Sequence, residues 1–205
     1  MNDSSRAKLG KHRRRILIVD DHPIIRRGLA EVLASEPDME VCGGTDNVAE
    51  AIRQLEASRP DLVVVDMTLK DSHGIELITE MSNRFRGIKA VVWSTFDEKI
   101  FAERAIRAGA MGYINKKEPI ERLVQAIREV LSGNFSFSAS LTNRLLLRAS
   151  GSKPLEQDPV SRLSNREEEV FEMLGQGMTT RVIARQLGLR PTTVEAPREN
   201  VKAKL

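Results

Sequence analysis

Ile16-Leu17-Ile18-Val19 runs directly into Asp20-Asp21, and Leu62-Val63-Val64-Val65 runs directly into Asp66. Each run is short, apolar throughout and rich in β-branched residues, as expected of a strand covered on both faces. Each is closed by acid. Outward from these two blocks, strands and amphipathic helices alternate between residues 15 and 131. After the first block, Ile24, Ile25, Gly28, Leu29, Val32 and Leu33 recur at helical spacing. Residues 39–42 read as a second strand and 48–57 as a second helix. Residues 75–85 are helical, Ala90-Val91-Val92-Trp93 is a fourth strand, and residues 98–108 form a fourth helix. Gly112-Tyr113-Ile114 is a fifth strand. The next helix has Pro119 near its first turn and the apolar stripe Ile120, Leu123, Val124, Ile127 and Leu131. Five such units in a row predict an α/β fold with a doubly wound, parallel, five-stranded sheet.

Gly133 ends that pattern. The stretch to residue 160 is rich in Ser and contains Gly151, Pro154 and Pro159, a linker composition with room for one short helix over 141–147. Beyond it the chain is helix and turn. Ser164 followed by Glu167 is a capping box, and Val170, Phe171 and Leu174 supply the apolar face of its helix. Gly175 and Gly177 end that helix. Thr179 or Thr180 caps a second, with Ile183, Ala184 and Leu187 inward. After Gly188-Leu189-Arg190, Pro191 sits at the first position of a third helix reaching Leu205. Two short helices joined by a glycine-containing turn predict a small all-α helix-turn-helix domain, whose second helix enters the DNA major groove. A three-helix protein-binding module fits the same pattern.

The length of 205 residues suits one medium and one small domain. No apolar run approaches the ~20 residues of a membrane span. The first 15 residues are basic and lack the apolar core of a secretory signal. Cys42 is the single cysteine, so no internal disulfide can form. A cytoplasmic protein with no membrane partner is expected. The net charge of +3 divides into +5 over residues 1–15, +2 over 161–205 and −4 between them. A mildly basic C-terminal module suits a nucleic-acid partner.

In doubly wound sheets the reactive site lies at the carboxyl ends of the strands. Asp20, Asp21 and Asp66 all fall there. Alone, each would read as a helix cap; together, converging carboxylates call for a cation, and Mg²⁺ takes oxygen ligands. A carboxylate can attack a phosphoryl donor, given positive charge on the phosphoryl oxygens. Lys116, after the fifth strand, can supply that charge, and Ser94, ending the fourth strand, can offer a hydroxyl.

The motifs Ile-Leu-Ile-Val-Asp20-Asp21-His22, Val-Val-Asp66 with Gly74 eight residues on, Val-Val-Trp-Ser94 and Gly-Tyr113-Ile-Asn-Lys116 closely resemble the receiver domains of response regulators. The resemblance implies a flavodoxin-like receiver with Asp66 as phosphoacceptor. It implies Mg²⁺ held by Asp20, Asp21, Asp66 and the backbone carbonyl of Thr68. Ser94, Tyr113 and Lys116 would be the switch and phosphate-contacting residues. Leu163-Ser-Asn-Arg-Glu-Glu-Glu-Val170, the run from Gly177 to Leu189, and Thr193-Val194-Glu195 resemble the LuxR-type DNA-binding domain, so the chain looks like the NarL/FixJ class. Positions matching that family's DNA-facing surface are Arg181, Thr192, Thr193, Glu195, Ala196, Arg198, Glu199 and Lys202.

The domains expected are a disordered basic tail (1–13), a receiver (14–132), a linker (133–160) and the helix-turn-helix domain (161–205). The expected function is that of a bacterial two-component response regulator. It would take a phosphoryl group from a sensor histidine kinase, catalyse only its own phosphotransfer and dephosphorylation, dimerise on activation and control transcription on double-stranded DNA. The alternative is a receiver whose output is protein–protein contact, with an impaired DNA-binding module.

Several positions depart from the family pattern: Lys70 where many receivers have Pro, Val182 for Glu, Arg190 for Ser or Thr, and Pro197 for His. The sequence ends at Leu205, before the family's fourth helix. An interior proline costs a helix ~3 kcal/mol or more, so a bent or shortened last helix and weak or absent DNA binding are expected. His22 reads as a loop residue, His12 and His73 as isolated, and Cys42 as a small core residue. Trp93 should face away from Ser94 and pack under a helix.

Overall fold

The computed structural model describes residues 13–69, 72–150 and 159–205. The basic tail up to His12, and Lys70, lie outside the described residues. The elements are β1 (Arg14–Val19), α1 (Pro23–Ser35), β2 (Met39–Thr45), α2 (Val48–Ser58), β3 (Leu62–Val65), β4 (Thr68–Leu69), β5 (Ser72–His73), α3 (Gly74–Arg84), β6 (Lys89–Ser94), α4 (Glu98–Ala108), β7 (Gly112–Asn115), α5 (Ile120–Leu131), α6 (Ala139–Ala149), α7 (Asn165–Gly175), α8 (Thr180–Gln186) and α9 (Pro191–Lys204). A 3₁₀ turn, Pro159–Arg162, precedes α7.

The expected doubly wound sheet is present. Its order is β2-β1-β3-β6-β7, and every pairing within it is parallel. The chain moves outward from β1 to β2, then returns to the other side of β1 for β3. That reversal opens a crevice at the carboxyl ends of β1 and β3. Val19 and Val65 are register partners, and the Asp66 amide donates to the Val19 carbonyl at 2.8 Å. The two acidic strand ends are therefore neighbours.

Alternation along β1 and β3 divides the core by sheet face. Ile16, Ile18, Leu62 and Val64 pack with Leu29 and Leu33 of α1 and Leu123 and Ile127 of α5. Leu17, Val19, Val63 and Val65 pack with α2, α3 and α4 through Leu55, Leu77 and Phe101. The second cluster continues into Val170 and Met173 of α7, Ile183 of α8 and Val194 of α9. The helical module is thus joined to the sheet domain by apolar contact.

Two features lay beyond the sequence reading. A two-residue antiparallel pair, β4 with β5, follows β3. Part of the Ser-rich stretch is also stitched to the sheet. Ser136 forms a parallel bridge with Gly112, and its carbonyl accepts from the Tyr113 amide at 3.0 Å. Helix α6 is longer than the 141–147 expected and buries Leu141.

The capping box is formed: the Glu167 amide donates to Ser164 Oγ at 3.3 Å and the Ser164 amide to Glu167 Oε2 at 2.7 Å. Lys204 Nζ reaches the same carboxylate at 2.5 Å, clasping the end of α9 to the start of α7. Burial opposes ionisation of Glu167, but Lys204, the Ser164 amide and Asn200 outweigh it and hold the acid at about 2. A carboxyl depressed in the folded state contributes stability that is present above its unfolded pKa and lost as pH falls through the folded value. The helical module should therefore lose stability between about pH 4.5 and 2. Lys204→Ala should move that loss to higher pH, followed by circular dichroism; an unchanged acid midpoint would contradict the clasp.

Helix α9 is not shortened at Pro197: it runs unbroken from Pro191 to Lys204. Val194 and Val201, seven residues apart on one face, are buried against the other two helices. That packing on both sides of the proline holds the helix where the local ladder is interrupted.

Candidate functional site

The carboxyl ends of β1, β3 and β7 bring Asp20, Asp66 and Lys116 together. Lys116 Nζ lies 2.6 Å from Asp20 Oδ2 and 2.5 Å from Asp66 Oδ2, with all three side chains nearly enclosed. The Lys116 amide also donates to the Ser94 carbonyl at 2.7 Å, so the β6–β7 pairing sets the lysine's start. Asp20 Oδ1 accepts from the His22 amide at 2.8 Å, and Asp21 Oδ1 lies 2.6 Å from His22 Nδ1. Donor atoms of Asp20, Asp21, His22 and Asp66 all fall within 4.8 Å of one another. His22, which the sequence argues is a loop residue, is half-exposed at the start of α1 yet belongs to this group.

Burial dominates the electrostatics. It pushes the Asp66 carboxyl up to about 7, against the pull of the Lys116 ammonium and helped by the Asp20 charge. It also raises Asp21, with His22 opposing. For Lys116, burial alone would favour the neutral amine, but the carboxylates of Asp66 and Asp20 outweigh it and raise its pKa. The pocket is an over-acidic cluster with one internal cation, which has oxygen donors in excess for a further positive charge.

Ser94 is fully buried, and its Oγ accepts from the Phe96 amide at 3.3 Å. Tyr113 is also buried, its hydroxyl donating to the Phe96 carbonyl at 3.1 Å. Burial raises the Tyr113 phenol well above its ordinary value. Thr68 opens β4, two residues past Asp66. Trp93 only partly meets its expectation. It packs half-buried against the α1 and α5 side, but its ring also lies 5.3 Å from Lys116 Nζ. Lys116 Nζ thus lies beside both the pocket acids and the Trp93 ring.

Gly74 begins α3 under the Asp66 turn, and its amide donates to the Met67 carbonyl at 2.7 Å. A Cβ there would collide with the Asp66 carbonyl oxygen. Gly74→Ala should displace that turn and lower stability by about 1–3 kcal/mol, the usual cost of overpacking. Urea unfolding checks this, and a midpoint unchanged from wild type would refute the crowding.

On the helical module, Arg181 of α8 and Thr192, Thr193, Glu195, Ala196, Glu199 and Lys202 of α9 are exposed. Arg198 is half-buried, its Nη1 donating to Thr180 Oγ1 at 3.0 Å. Lys202 pairs with Glu199 at 2.8 Å.

Sequence reasoning missed the contact between the module and the pocket. Glu168, Glu169 and Glu172 of α7 are buried, although a run of acids reads as a solvated face. Glu169 Oε1 lies 3.4 Å from Thr68 Oγ1 and 3.3 Å from His73 Nε2, and Arg166 pairs with Oε2 at 2.7 Å. Glu172 Oε1 accepts from the Asp97 amide at 3.1 Å. Arg104 of α4 pairs with Glu168 at 2.9 Å, donates to Asn165 Oδ1 at 3.1 Å and also reaches the Leu163 carbonyl. Burial lowers His73 to about 3, with Arg166 and Arg104 adding to it. Burial raises Glu169 to about 7 against the pull of Arg166. His73, expected to be isolated, is thus a contact residue between domains. No spacing rule joins residues 68, 73 and 104 to 168 and 169.

Among the described residues, no helix is long and apolar enough to cross a membrane. The response regulator receiver domain family matches residues 16–128, and the LuxR family of bacterial regulatory proteins matches residues 161–205. The DNA-binding transcriptional activator DevR/DosR of Mycobacterium tuberculosis is 31% identical over 93% of this chain and 88% of its own length. The transcriptional regulatory protein UhpA of Escherichia coli K12 is 33% identical over 93% and 90%. The crystal structure of a LuxR-family two-component response regulator from Aurantimonas superposes with a TM-score of 0.62 at 30% identity, covering 67% of this chain and 99% of that one. With an Asp-Lys pocket at the switch point of a parallel sheet and a helix-turn-helix module behind it, this chain belongs to the response-regulator family: it is a two-component regulator whose receiver and LuxR-type DNA-binding domains suit transcriptional control.

Proposed function

We propose that Asp66 accepts a phosphoryl group from a sensor histidine kinase and that this event controls transcription through the helix-turn-helix module. The observation that carries the reading is the Asp66–Lys116 contact of 2.5 Å inside a cluster of further carboxylates. An Asp66 carboxylate oxygen attacks phosphorus; an O–P bond forms, the P–N bond of the donor phosphohistidine breaks, and the departing imidazole keeps the electron pair and takes up a proton. Lys116 faces the oxygens that gain charge, and the Ser94 hydroxyl can bond to them as Tyr113 changes place. The division is into a receiver (14–132), a linker (133–160) and a DNA-binding domain (161–205). A homodimer on activation and a cytoplasmic setting complete the reading.

The donor set fits Mg²⁺: hard carboxylate oxygens in excess of the one internal cation. Asp20, Asp21, Asp66 and the Thr68 carbonyl would hold the ion. When bound, it supplies positive charge to the phosphoryl oxygens and favours the ionised Asp66. On the DNA side, Thr192, Thr193 and Lys202 would contact phosphates, while Glu195, Ala196, Arg198 and Glu199 would meet base edges, with Arg181 flanking.

Incubation with Mg²⁺ and acetyl phosphate, followed by mapping of the modified residue, tests the reading; modification elsewhere would overturn it. Mg²⁺ titration of Asp21→Ala should show affinity weakened about tenfold or more, since losing even a ligand's outer-shell support typically costs about 10–100-fold. Equal affinities would place the ion elsewhere.

A further inference from the structure

Helix α9 follows α8 in the helix-turn-helix, so its first turns are the part that such a motif sends to the base edges. Its inward row is Val194 and Val201, both buried. By helical period, the opposite face is Thr192, Glu195, Ala196, Glu199 and Ala203, and all five are exposed. That face carries two carboxylates and no cation. Arg198 turns from it: its guanidinium is half-buried and donates to Thr180 Oγ1 of α8 at 3.0 Å. Lys202 stands at the edge of the face, with Nζ 2.8 Å from Glu199 Oε1. Among the described residues, none is hydrogen-bonded or ion-paired to the Glu195 side chain. The free cations lie to the side: Arg181 and Arg185 of α8, and Arg190 in the turn before α9, are exposed.

We propose that the module selects duplex sites presenting cytosine amino groups in the major groove, with Glu195 as the main specificity-determining residue and Glu199 as a second acceptor about two base-pair steps away. This rests on the DNA-binding reading above. A carboxylate only accepts hydrogen bonds. Guanine shows the acceptors N7 and O6 in the major groove, which a carboxylate repels and which no cation on this face meets. The adenine N6 amino group stands between two acceptors, its own N7 and the O4 of the partner thymine. The cytosine N4 amino group has an acceptor on one side alone, the O6 of the partner guanine. Cytosine is therefore the base a glutamate meets with least opposition. Glu195 and Glu199 lie four residues apart, about 6 Å along the helix axis. Two base-pair steps of ~3.4 Å cover nearly the same length. Ala196 beside Glu195 is small enough to let the helix approach the bases. Lys202 offsets part of the repulsion between Glu199 and phosphate. Glu195 has no such cover, so a site without cytosine leaves its charge unpaired in the groove. That penalty on other sequences sharpens the choice.

The full chain is used as wild type and as Pro197→His, the second being a background with an uninterrupted helix ladder. Sites are selected from random duplexes at low salt, and each C·G pair of the selected site is then altered in turn. Replacing cytosine with 2-pyrimidinone removes the 4-amino group; replacing guanine with 7-deazaguanine removes the N7 acceptor. Removing the amino group at one pair should weaken both proteins about fivefold or more, the lower end of one good base contact. Glu195→Ala, in either background, should respond to that change by less than about twofold, the coupling expected of two groups in contact. It should also bind unselected duplex at least as tightly as its parent, since a repelling charge is gone. Glu199→Ala should lose its response at a pair about two steps away. An amino deletion that weakens the parent and Glu195→Ala alike overturns the inference. So does a site that responds to 7-deazaguanine and to no amino deletion, because a cation is then reading guanine. Both outcomes leave the DNA-binding reading intact. A Glu199→Ala protein that keeps every response overturns the second assignment. If neither wild type nor Pro197→His binds any duplex above background, the DNA-binding reading fails and the inference fails with it.

Discussion

Asp66→Asn is expected to reduce acetyl-phosphate labelling to background. The amide keeps the side chain's shape, so the turn held by the Gly74 amide should persist. What disappears is the nucleophilic oxygen anion and one of the two carboxylates on Lys116. The other, Asp20 at 2.6 Å, keeps the lysine charged and in place, so the pocket does not collapse. Asp20 is a poor substitute nucleophile, because its Oδ1 accepts from the His22 amide and its Oδ2 from Lys116. Intact-protein mass measurement after incubation with Mg²⁺ and acetyl phosphate reads the result. Labelling of the Asn variant at the wild-type level would remove Asp66 from its proposed role.

Pro197→His should stabilise the DNA-binding module by about 2 kcal/mol. An interior proline costs ~3 kcal/mol relative to alanine, and histidine falls some tenths short of alanine. Proline has no amide hydrogen, so the Thr193 carbonyl four residues earlier loses its partner in the helix ladder. Helix α9 nevertheless runs through Pro197 to Lys204 because Val194 and Val201 bury the face that packs on α7 and α8. Tertiary packing thus absorbs the cost without removing it. The exposed positions on both sides of the proline are those expected to meet DNA, so restoring the ladder should also tighten duplex binding by about tenfold, the equivalent of ~1.4 kcal/mol. Chemical denaturation and a salt-dependent duplex titration check both effects. A proline form as stable and as tight-binding as the histidine form would show that the helix carries its proline at no cost.

Local pattern made most of the fold legible. The β-branched runs at residues 16–19 and 62–65 are strands because no amphipathic alternative fits them, and both are found fully buried. The end of β1 at Val19 and the fourth helix at Glu98–Ala108 fall where periodicity puts them. Once the sheet is parallel and doubly wound, acids that follow β1 and β3 must be neighbours, and Asp20 and Asp66 share Lys116 as that argument requires. Ser164 and Glu167 form the capping box because every atom it needs lies within one helical turn.

Tertiary structure decided what depends on partners distant in the chain. Glu167, Glu168 and Glu169 look like a solvated face, since three adjacent acids are costly to bury. Burial becomes tolerable only where Lys204, Arg104 and Arg166 each meet one of them, and two of those cations lie far away along the chain. Trp93 was assignable to the opposite face from Ser94, yet only the fold brings its ring within 5.3 Å of the Lys116 ammonium. Pro197 breaks a rule of local helix geometry, and packing overrules it. The sequence by itself determined the elements, the strand ends and the acids they carry, because hydrophobic periodicity and chain direction are local. Which acids are buried, and that α7 closes against the Asp66 turn, only the tertiary structure decided, because a charge's cost is set by the groups that the fold brings to it.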